Sequence, residues 1–227
     1  MRKVVFTPNN FYHIYNRGVD KRNVFVDDND RWRFLQGLFL FNDADTSSNL
    51  LWELEKSRKG ANFTTIKEYF FGAEKRSRQP IVRIMADCLM PNHYHLLIEE
   101  LRENGITKFM HKLGTGYTRF FNEKYKGSGS LFQGRYKSIE INSNEYLLHL
   151  SSYVNLNYEI HGLSSSTTKS SWNEYLGKVS GICNKEIILS QFKRMGEYEK
   201  FALKSLETIK QNKDMEKLLL ESLGSAT

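Results

Sequence analysis

Two histidines, His93 and His95, are the residues of this sequence whose spacing points most directly to chemistry. They follow a Pro-Asn turn within residues 87–100, a stretch whose pattern predicts a strand end, a tight turn and a second strand. Side chains alternate between the faces of a strand, so both imidazoles project from one face. That face also carries Glu99 and the opposite face is apolar, so we expect the histidine face to be exposed to solvent. Neutral imidazoles two residues apart can bind one metal ion, but a complete site needs a further ligand.

A helix predicted over 144–160 supplies the missing groups. Its residues Tyr153 and Asn157 are four apart and therefore lie on one face. If this helix crosses the histidine face of the sheet, Asn157 completes the metal site and Tyr153 lies beside it. A phenol, with a pKa of about 10, is a poor nucleophile at neutral pH and needs an electrophile that a metal has polarised. A phosphodiester is such an electrophile.

The sequence leaves other residues open for these roles. Tyr146 lies seven residues before Tyr153, on nearly the same helix stripe, so it is a rival nucleophile by geometry. His149 is a rival third ligand. Cys88 is a small buried residue by type, and the alternative is a partial zinc site with the two histidines. Glu99 marks the exposed end of its strand, with contact to the metal site as the alternative.

The charge of the chain favours a polyanionic partner. It carries 33 lysines and arginines against 26 aspartates and glutamates, a net charge of +7 and a pI near 9.2. The excess is concentrated, because residues 107–140 contain seven lysines and arginines and two glutamates. A helix predicted over 106–125 presents several of these cations. This segment is therefore predicted to form a basic surface suited to nucleic acid.

The remaining pattern supplies the elements that position these groups. The predicted order is β-α-β-β-α-β, the ferredoxin-like arrangement of an α+β fold, in which helices cover one face of an antiparallel sheet. Besides the histidine strand and the helix at 106–125, the pattern predicts strands at 11–17, 81–89 and 131–141 and a helix at 27–41.

The chain is predicted to have one catalytic core and one extension. Residues 1–163 form the core, and 42–79 within it break the pattern and are predicted to be an insertion. Residues 164–227 are predicted to be a helical extension on the same core, with periodic segments at 185–195 and 198–223. The two cysteines have no paired spacing, no stretch approaches the roughly twenty apolar residues of a membrane span, and no secretory signal is evident, so a cytoplasmic location is expected.

Several motifs together resemble the single-tyrosine HUH transposases. Residues 91–98, Pro-Asn-His-Tyr-His-Leu-Leu-Ile, are similar to the histidine-hydrophobic-histidine motif of that superfamily. The chain resembles the REP-associated tyrosine transposase branch at residues 12–18, 132–137 and 171–177 and in the Tyr153-x-x-x-Asn157 helix. The similarity runs in order from about residue 10 to about residue 200, and residues 42–79 match least well. Tyr158 departs from the pattern, because relatives often have proline after the asparagine.

The resemblance implies a role for each site residue. His93, His95 and Asn157 would hold one divalent cation, Mg²⁺ or Mn²⁺, on a scissile phosphate, and Tyr153 would attack that phosphate. The product would be a 5′-phosphotyrosine and a free 3′-hydroxyl. The residues expected to contact DNA are Arg17, Lys108, Lys112, Arg119, Arg135 and Lys137.

The resemblance also implies a partner and a reaction. The partner would be single-stranded or hairpin DNA, and the protein would be a metal-dependent endonuclease and strand-transferase, with a monomer favoured over a dimer. The alternative is a non-catalytic hairpin-binding protein on the same fold.

Overall fold

A computed structural model describes residues 4–46, 53, 56, 78–164, 166–194 and 196–211, and within them five strands form one antiparallel sheet. Their order across the sheet is β4-β1-β3-β2-β5. The strands are β1 (Phe11–Arg17), β2 (Val82–Met90), β3 (His93–Glu100), β4 (Lys137–Ile141) and β5 (Lys169–Ser170). The order of elements along the chain and of strands across the sheet confirms the predicted ferredoxin-like α+β fold.

Three helices connect or follow the first four strands, and three more lie closer to the C-terminus among the described residues. They are α1 (Asp28–Leu40), α2 (Gly105–Tyr125), α3 (Asn144–Ile160), α4 (Trp172–Tyr175), α5 (Glu186–Leu189) and α6 (Glu197–Gln211). Among the helices described, none is both long enough and apolar enough to cross a membrane.

Local capping explains where α1 and α3 begin. The Asp27 carboxylate accepts the Asp30 N–H at 2.9 Å, and the Asp30 carboxylate accepts the Asp27 N–H, which is a capping box. The Ser143 hydroxyl accepts the Tyr146 N–H at the start of α3. These bonds satisfy backbone donors that the first turn leaves unpaired. They therefore fix the register of α3, the helix that carries the candidate nucleophile.

Helices α1 and α2 cover the face of the sheet that the sequence predicts to be apolar. Tyr94, Leu96 and Ile98 of β3 are buried there in one hydrophobic cluster with Phe34 of α1 and Phe109 of α2. This layer is the larger apolar core of the described residues, and it holds β3 in the middle of the sheet.

The opposite, histidine-bearing face is not exposed to solvent, so that expectation is wrong. Helix α3 lies across it and α6 packs on α3. Leu97 is fully buried on this face, together with Leu150 of α3 and Ala202 of α6. Helices α3 and α6 follow the histidine strand in the chain, and they bury their apolar stripes against the apolar residues of this face.

The predicted fourth strand is shorter than expected at its start. Residues before Lys137 form a loop in which Phe132 makes a single bridge to Gly18 and Gly134 takes a left-handed φ of +68°. Leu131 and Phe132 are nevertheless buried, so the apolar pattern there reflects loop packing and not strand pairing.

The C-terminal part differs more from its prediction. Strand β5 and helix α4 are unpredicted, and of the helical segment expected at 185–195 only Glu186–Leu189 is helical. Helix α6 starts at Glu197, close to the predicted 198, and the rest of that prediction lies outside the described residues, as does most of 42–79. At the ends of 42–79, the Asn42 carboxamide accepts the N–H groups of Ile81 and Val82, so the chain leaves and returns at neighbouring points.

Candidate active site

Strand pairing places the two histidines at the centre of the sheet. Residues 91 and 92 form the tight turn between β2 and β3, and β1 pairs with β3 on the other side. In this register Arg17 lies opposite His93 and Tyr15 lies opposite His95. Both histidines therefore sit on one rigid strand flanked by two others, which restricts how they can move.

Helix α3 brings the tyrosine to this face. The Tyr153 ring stands edge-on to the His95 ring, with centroids 5.5 Å apart and planes at 83°, and it is 6.2 Å from the His13 ring. Asn157, one turn further along α3, is fully buried beside His93. The structure thus brings together His93, His95, Tyr153 and Asn157, the four residues predicted for the metal site and the nucleophile.

The imidazoles at this site are electrically neutral near pH 7. Burial, with the electrostatic effect of His161 and Arg17, lowers the pKa of His93 to about 4, although the Asn157 amide opposes the shift. Burial, with the other histidines, lowers the pKa of His95 well below its usual value. Neutral imidazole is the form that binds metals, so the electrostatics suit a cation site.

The Asn157 amide also fits a cation. Its side chain is fully buried, and within the described part of the chain neither its oxygen nor its nitrogen makes a well-formed hydrogen bond, although the amide lies close enough to His93 to affect its pKa. A buried amide without hydrogen bonds is unusual, because desolvation of each polar atom is then uncompensated. An amide oxygen suits Mg²⁺ or Mn²⁺, and the two neutral imidazoles add nitrogen ligands, so together these groups can hold a divalent cation.

The alternative site residues on α3 lie in other surroundings. Tyr146 is half-buried next to Tyr15, and burial together with Tyr146 raises the pKa of Tyr15 to about 12. His149 bonds through Nδ1 to the Ser205 hydroxyl of α6 at 2.8 Å and contacts Phe201, so it faces α6 and not the histidine pair. Tyr153 contacts the rings of His95 and His13 and Asn157 lies beside His93, whereas His149 faces α6.

Cys88 and Glu99 share the histidine face but are engaged elsewhere. The Cys88 thiol is buried 3.8 Å from the sulfur of Met90, and burial and the Asp87 charge raise its pKa. A thiol with a raised pKa is a poor zinc ligand, because zinc binds the thiolate. Glu99 forms an ion pair with Arg83, which takes the carboxylate away from the site.

Two of the six cations predicted to contact DNA flank the histidine site. Arg17 is exposed at the end of β1, close enough to His93 to lower its pKa. Lys137 is exposed at the start of β4, with its ammonium 6.0 Å from the centre of the Tyr15 ring. Both are placed to meet a phosphate that approaches the two histidines.

The other four cations lie on the α2 side of the molecule. Arg119 and Arg135 line one cavity of about 790 Å³ between α2 and the loop that precedes β4. Lys108 is exposed on α2. Lys112 instead donates to the Asp43 carbonyl at 2.7 Å, and burial lowers its pKa, so its ammonium secures the chain after α1.

Two histidines missed from the sequence complete the surroundings of the site. His13 of β1 is fully buried, lies 2.8 Å from His95 between ring nitrogens, and has a pKa lowered by burial to about 3. His161, at the end of α3, has its ring centre 6.0 Å from that of His93. The signals that could have identified them were available: His13 shares a strand face with Arg17, and His161 lies one turn after Asn157.

A second cluster of metal-ligating groups lies on the opposite side of β2. Among the residues described, Asp87, Glu174 and Cys183 have ligand atoms within 4.8 Å of one another. Burial raises the pKa of Asp87 to about 7, assisted by the charge of Glu174, and burial raises the pKa values of Glu174 and Cys183. The Cys183 thiol donates to Asp87 at 3.4 Å.

Comparison with known proteins agrees with the motifs. Residues 55–157 match the family model described as IS200-like transposase, a match that includes both histidines, Tyr153 and Asn157 and begins inside the segment predicted to be an insertion. A search of curated proteins gave no match. Among solved structures, a REP-associated tyrosine transposase bound to a REP hairpin is similar, at 10% identity and a TM-score of 0.47 over 81% of this chain and 93% of that one.

Proposed function

We propose, from the match of residues 55–157 to the IS200-like transposase family model, that the protein is a metal-dependent single-strand DNA endonuclease and strand-transferase with Tyr153 as its nucleophile. The observation that carries the proposal is the position of Tyr153, edge-on to His95 and one helical turn from the buried Asn157 amide. Two imidazoles, an amide and a phenol lie together on one face. This combination suits phosphoryl transfer better than it suits packing alone.

In this proposal the side chains have separate tasks. A divalent cation held by His93, His95 and Asn157, either Mg²⁺ or Mn²⁺, would supply Lewis acidity to the non-bridging oxygens of the scissile phosphate. Arg17 and Lys137, exposed on either side of the histidines, hold the DNA backbone by charge. The sheet and the helix together fix the distance between the metal ligands and the nucleophile. This arrangement lowers the entropic part of the activation barrier.

The bond changes balance without an external energy source. The Tyr153 oxygen loses its proton and forms a bond to phosphorus, and the bond from phosphorus to the 3′ oxygen breaks. The electron pair stays on the 3′ oxygen, which takes up a proton. The products are a 5′-phosphotyrosine and a free 3′-hydroxyl, and attack by another 3′-hydroxyl reverses the step and joins strands.

The substrate is proposed to be hairpin-bearing single-stranded DNA, bound across two surfaces. The Arg119 and Arg135 cavity on the α2 side takes the folded part, and the Arg17 and Lys137 surface takes the single-stranded flank. Because each surface is basic, association should weaken steeply with salt. We further propose a monomer that cleaves with its own Tyr153, a catalytic domain at 1–163 with an extension at 164–227, and a cytoplasmic reaction.

The test is the covalent intermediate. The protein is incubated with hairpin-bearing single-stranded DNA and Mn²⁺ and then separated on a denaturing gel. We expect a protein–DNA adduct that disappears in Tyr153→Phe, because the variant keeps the ring packing and loses only the nucleophilic oxygen. The matched control is Tyr146→Phe, which should retain the adduct. An adduct that survives in Tyr153→Phe and disappears in Tyr146→Phe would transfer the nucleophile to Tyr146.

One observation favours a second function, a non-catalytic hairpin-binding protein. Tyr153 is only 1% exposed, so a phosphate reaches its oxygen only after a local movement of α3 or of the side chain. If the chain has lost cleavage, hairpin binding should persist in His93→Ala and His95→Ala, with no adduct in any metal. Cleavage by the unaltered protein excludes this alternative.

A further inference from the structure

Each of the two site histidines has one ring nitrogen already engaged by a neighbouring side chain. His93 contacts the Asn92 carboxamide oxygen through Nδ1 at 2.6 Å. His95 contacts Nε2 of His13 through Nδ1 at 2.8 Å. In both rings the nitrogen left for a ligand is therefore Nε2. Which nitrogen of a histidine can bind a metal is decided by the hydrogen bond that the other nitrogen makes.

The Asn92 contact is built into the turn that precedes β3. The Asn92 amide nitrogen donates to the Lys21 carbonyl at 3.2 Å, which turns the amide oxygen toward His93. A carboxamide oxygen only accepts hydrogen bonds, so Nδ1 of His93 must carry the proton. Lys21 has a left-handed φ of 60°, and the Gly18 N–H donates to the Asn92 carbonyl at 2.8 Å. The loop after β1 thus holds the turn in place.

The His13 contact has two possible arrangements, because imidazole can donate or accept. If His95 donates from Nδ1, its Nε2 has a lone pair and can bind a cation. If His13 donates, Nε2 of His95 carries the proton and cannot bind. His13 is fully buried and, within the described residues, its Nδ1 makes no hydrogen bond, so nothing else there fixes which nitrogen carries its proton. A ligand role for His95 requires the first arrangement.

We infer that Asn92 and His13 are positioning residues that hold the proton of His93 and His95 on Nδ1 and thereby direct both Nε2 atoms to one shared cation. This inference rests on the proposed metal site and names the two residues that make the histidines competent for it. His13 lies on β1, 82 residues from its partner, so strand pairing makes a contact that the histidine motif by itself does not contain. Supporting contacts of this kind typically change metal affinity by about 10- to 100-fold.

The direct test is the location of the protons, measured by ¹⁵N NMR of histidine-labelled full-length protein without metal or DNA. We expect His93 and His95 both to be protonated on Nδ1. In His13→Ala the His95 signal should move toward the Nε2-protonated form, while His93 stays unchanged. Protonation of His95 on Nε2 in the unaltered protein, or an unchanged His95 signal in His13→Ala, would overturn the role of His13. Protonation of His93 on Nε2 would overturn the role of Asn92.

The second test is Mn²⁺ affinity by calorimetry, with paired variants that separate hydrogen bonding from folding. Gln at position 13 can present an amide oxygen to His95, so His13→Gln should stay within about threefold of the unaltered protein, whereas His13→Ala should lose about 10- to 100-fold. Asp at position 92 keeps the acceptor, so Asn92→Asp should retain the affinity that Asn92→Leu loses. His111→Gln, an exposed histidine on α2, is the control for removal of an imidazole. An equal loss in His13→Gln and His13→Ala would overturn the inference, because the loss would then not depend on a hydrogen-bond acceptor at position 13.

These readouts separate the inference from the proposed function. Protons on Nδ1 of both histidines, with Mn²⁺ affinity that follows the acceptor variants, uphold the inference even if no phosphotyrosine forms. Cleavage that needs His95 while His95 is protonated on Nε2 in the free protein overturns the inference and leaves the proposed function standing.

Discussion

The two polar clusters on opposite sides of β2 and β3 both consist of buried and half-buried metal-ligating groups, yet burial affects them in opposite ways. One cluster, His93, His95 and Asn157, lies under α3. The other, Asp87, Glu174 and Cys183, lies toward α4 and the segment after it. The first has imidazoles with lowered pKa values, and the second has carboxyl and thiol groups with raised pKa values.

The difference follows from one physical rule. Burial disfavours the charged form of every group. For imidazole the uncharged form is the ligand, so burial prepares it for a cation. For a carboxyl group or a thiol the uncharged form is protonated and must lose that proton before it binds a metal. Proximity of ligand atoms alone therefore does not identify a metal site, and we expect the histidine cluster to hold the cation.

The largest expected effect is on metal binding and cleavage. His95→Ala should lower Mn²⁺ affinity and cleavage by about 100-fold or more, because it removes a ligand that the second cluster cannot replace. Cys183→Ser should leave both unchanged. The measurements are calorimetric titration with Mn²⁺ and the rate of adduct formation.

The opposite result would assign the cation to the acidic cluster instead of the histidine cluster. If Cys183→Ser or Glu174→Gln removes tight metal binding and His95→Ala does not, the acidic cluster is the cation site. A stoichiometric metal in the purified protein that survives His95→Ala would lead to the same conclusion.

An intermediate effect is expected on stability. The pKa of Asp87 is about 7 in the folded protein against 3.8 as its ordinary value, so the folded state retains a proton that the unfolded state loses. The stability that Asp87 contributes is therefore highest at low pH and falls as the pH rises from about 4 to about 7. Asp87→Asn should remove this dependence and raise the free energy of unfolding at pH 8 by about 1 to 4 kcal/mol.

Urea unfolding at pH 5 and pH 8 measures this difference between the unaltered protein and the variant. The control is Asp20→Asn, which removes the same charge from an exposed position. A free-energy difference that is the same at both pH values would mean that Asp87 is ionised in the folded protein, and the acidic cluster would then be a competent cation site.

The smallest expected effect is on DNA affinity at the cavity between α2 and the loop before β4. Arg119→Ala and Arg135→Ala should each weaken hairpin binding about three- to tenfold at 150 mM salt. Each should also reduce the slope of the logarithm of the binding constant against the logarithm of the salt concentration by about one. Lys112→Ala should leave DNA affinity unchanged and lower stability instead, since its ammonium binds a main-chain carbonyl. Fluorescence anisotropy across a salt series distinguishes the two outcomes, and equal losses in all three variants would extend the DNA surface to Lys112.

Local patterns in the sequence were sufficient for much of the fold. The strand alternation predicts β1 and the histidine strand, and the helix predicted over 144–160 has the bounds of α3. These features depend on neighbours a few residues apart, so a single sequence contains them. The grouping of Tyr153 with His95 came from the motif resemblance, because helix spacing does not say which sheet face a helix covers.

The contacts that sequence did not reveal are those between distant residues. The bond from His13 to His95 depends on β1 pairing with β3, and the burial of the histidine face depends on α6 packing on α3. Strand β5, two residues long, has too little pattern to predict. The loop before β4 has a strand-like apolar pattern, but it pairs with the chain after β1 only through a single bridge at Phe132, and its buried side chains pack against the core.

The irregular register of β2 has a consequence for the chemistry that this site can offer. The pairing of β2 with β3 shifts between Ile84 and Ala86, and beyond the shift Cys88, not Asp87, lies opposite His95. Deletion of Met85, the extra residue, would make the ladder regular and leave Cys88 opposite His95, because the pairs beyond the shift stay the same. A slip of the pairing by one residue would bring Asp87 opposite His95, but it would also move Leu89 out of the larger apolar core. The packing of that leucine therefore keeps a carboxylate away from the two imidazoles.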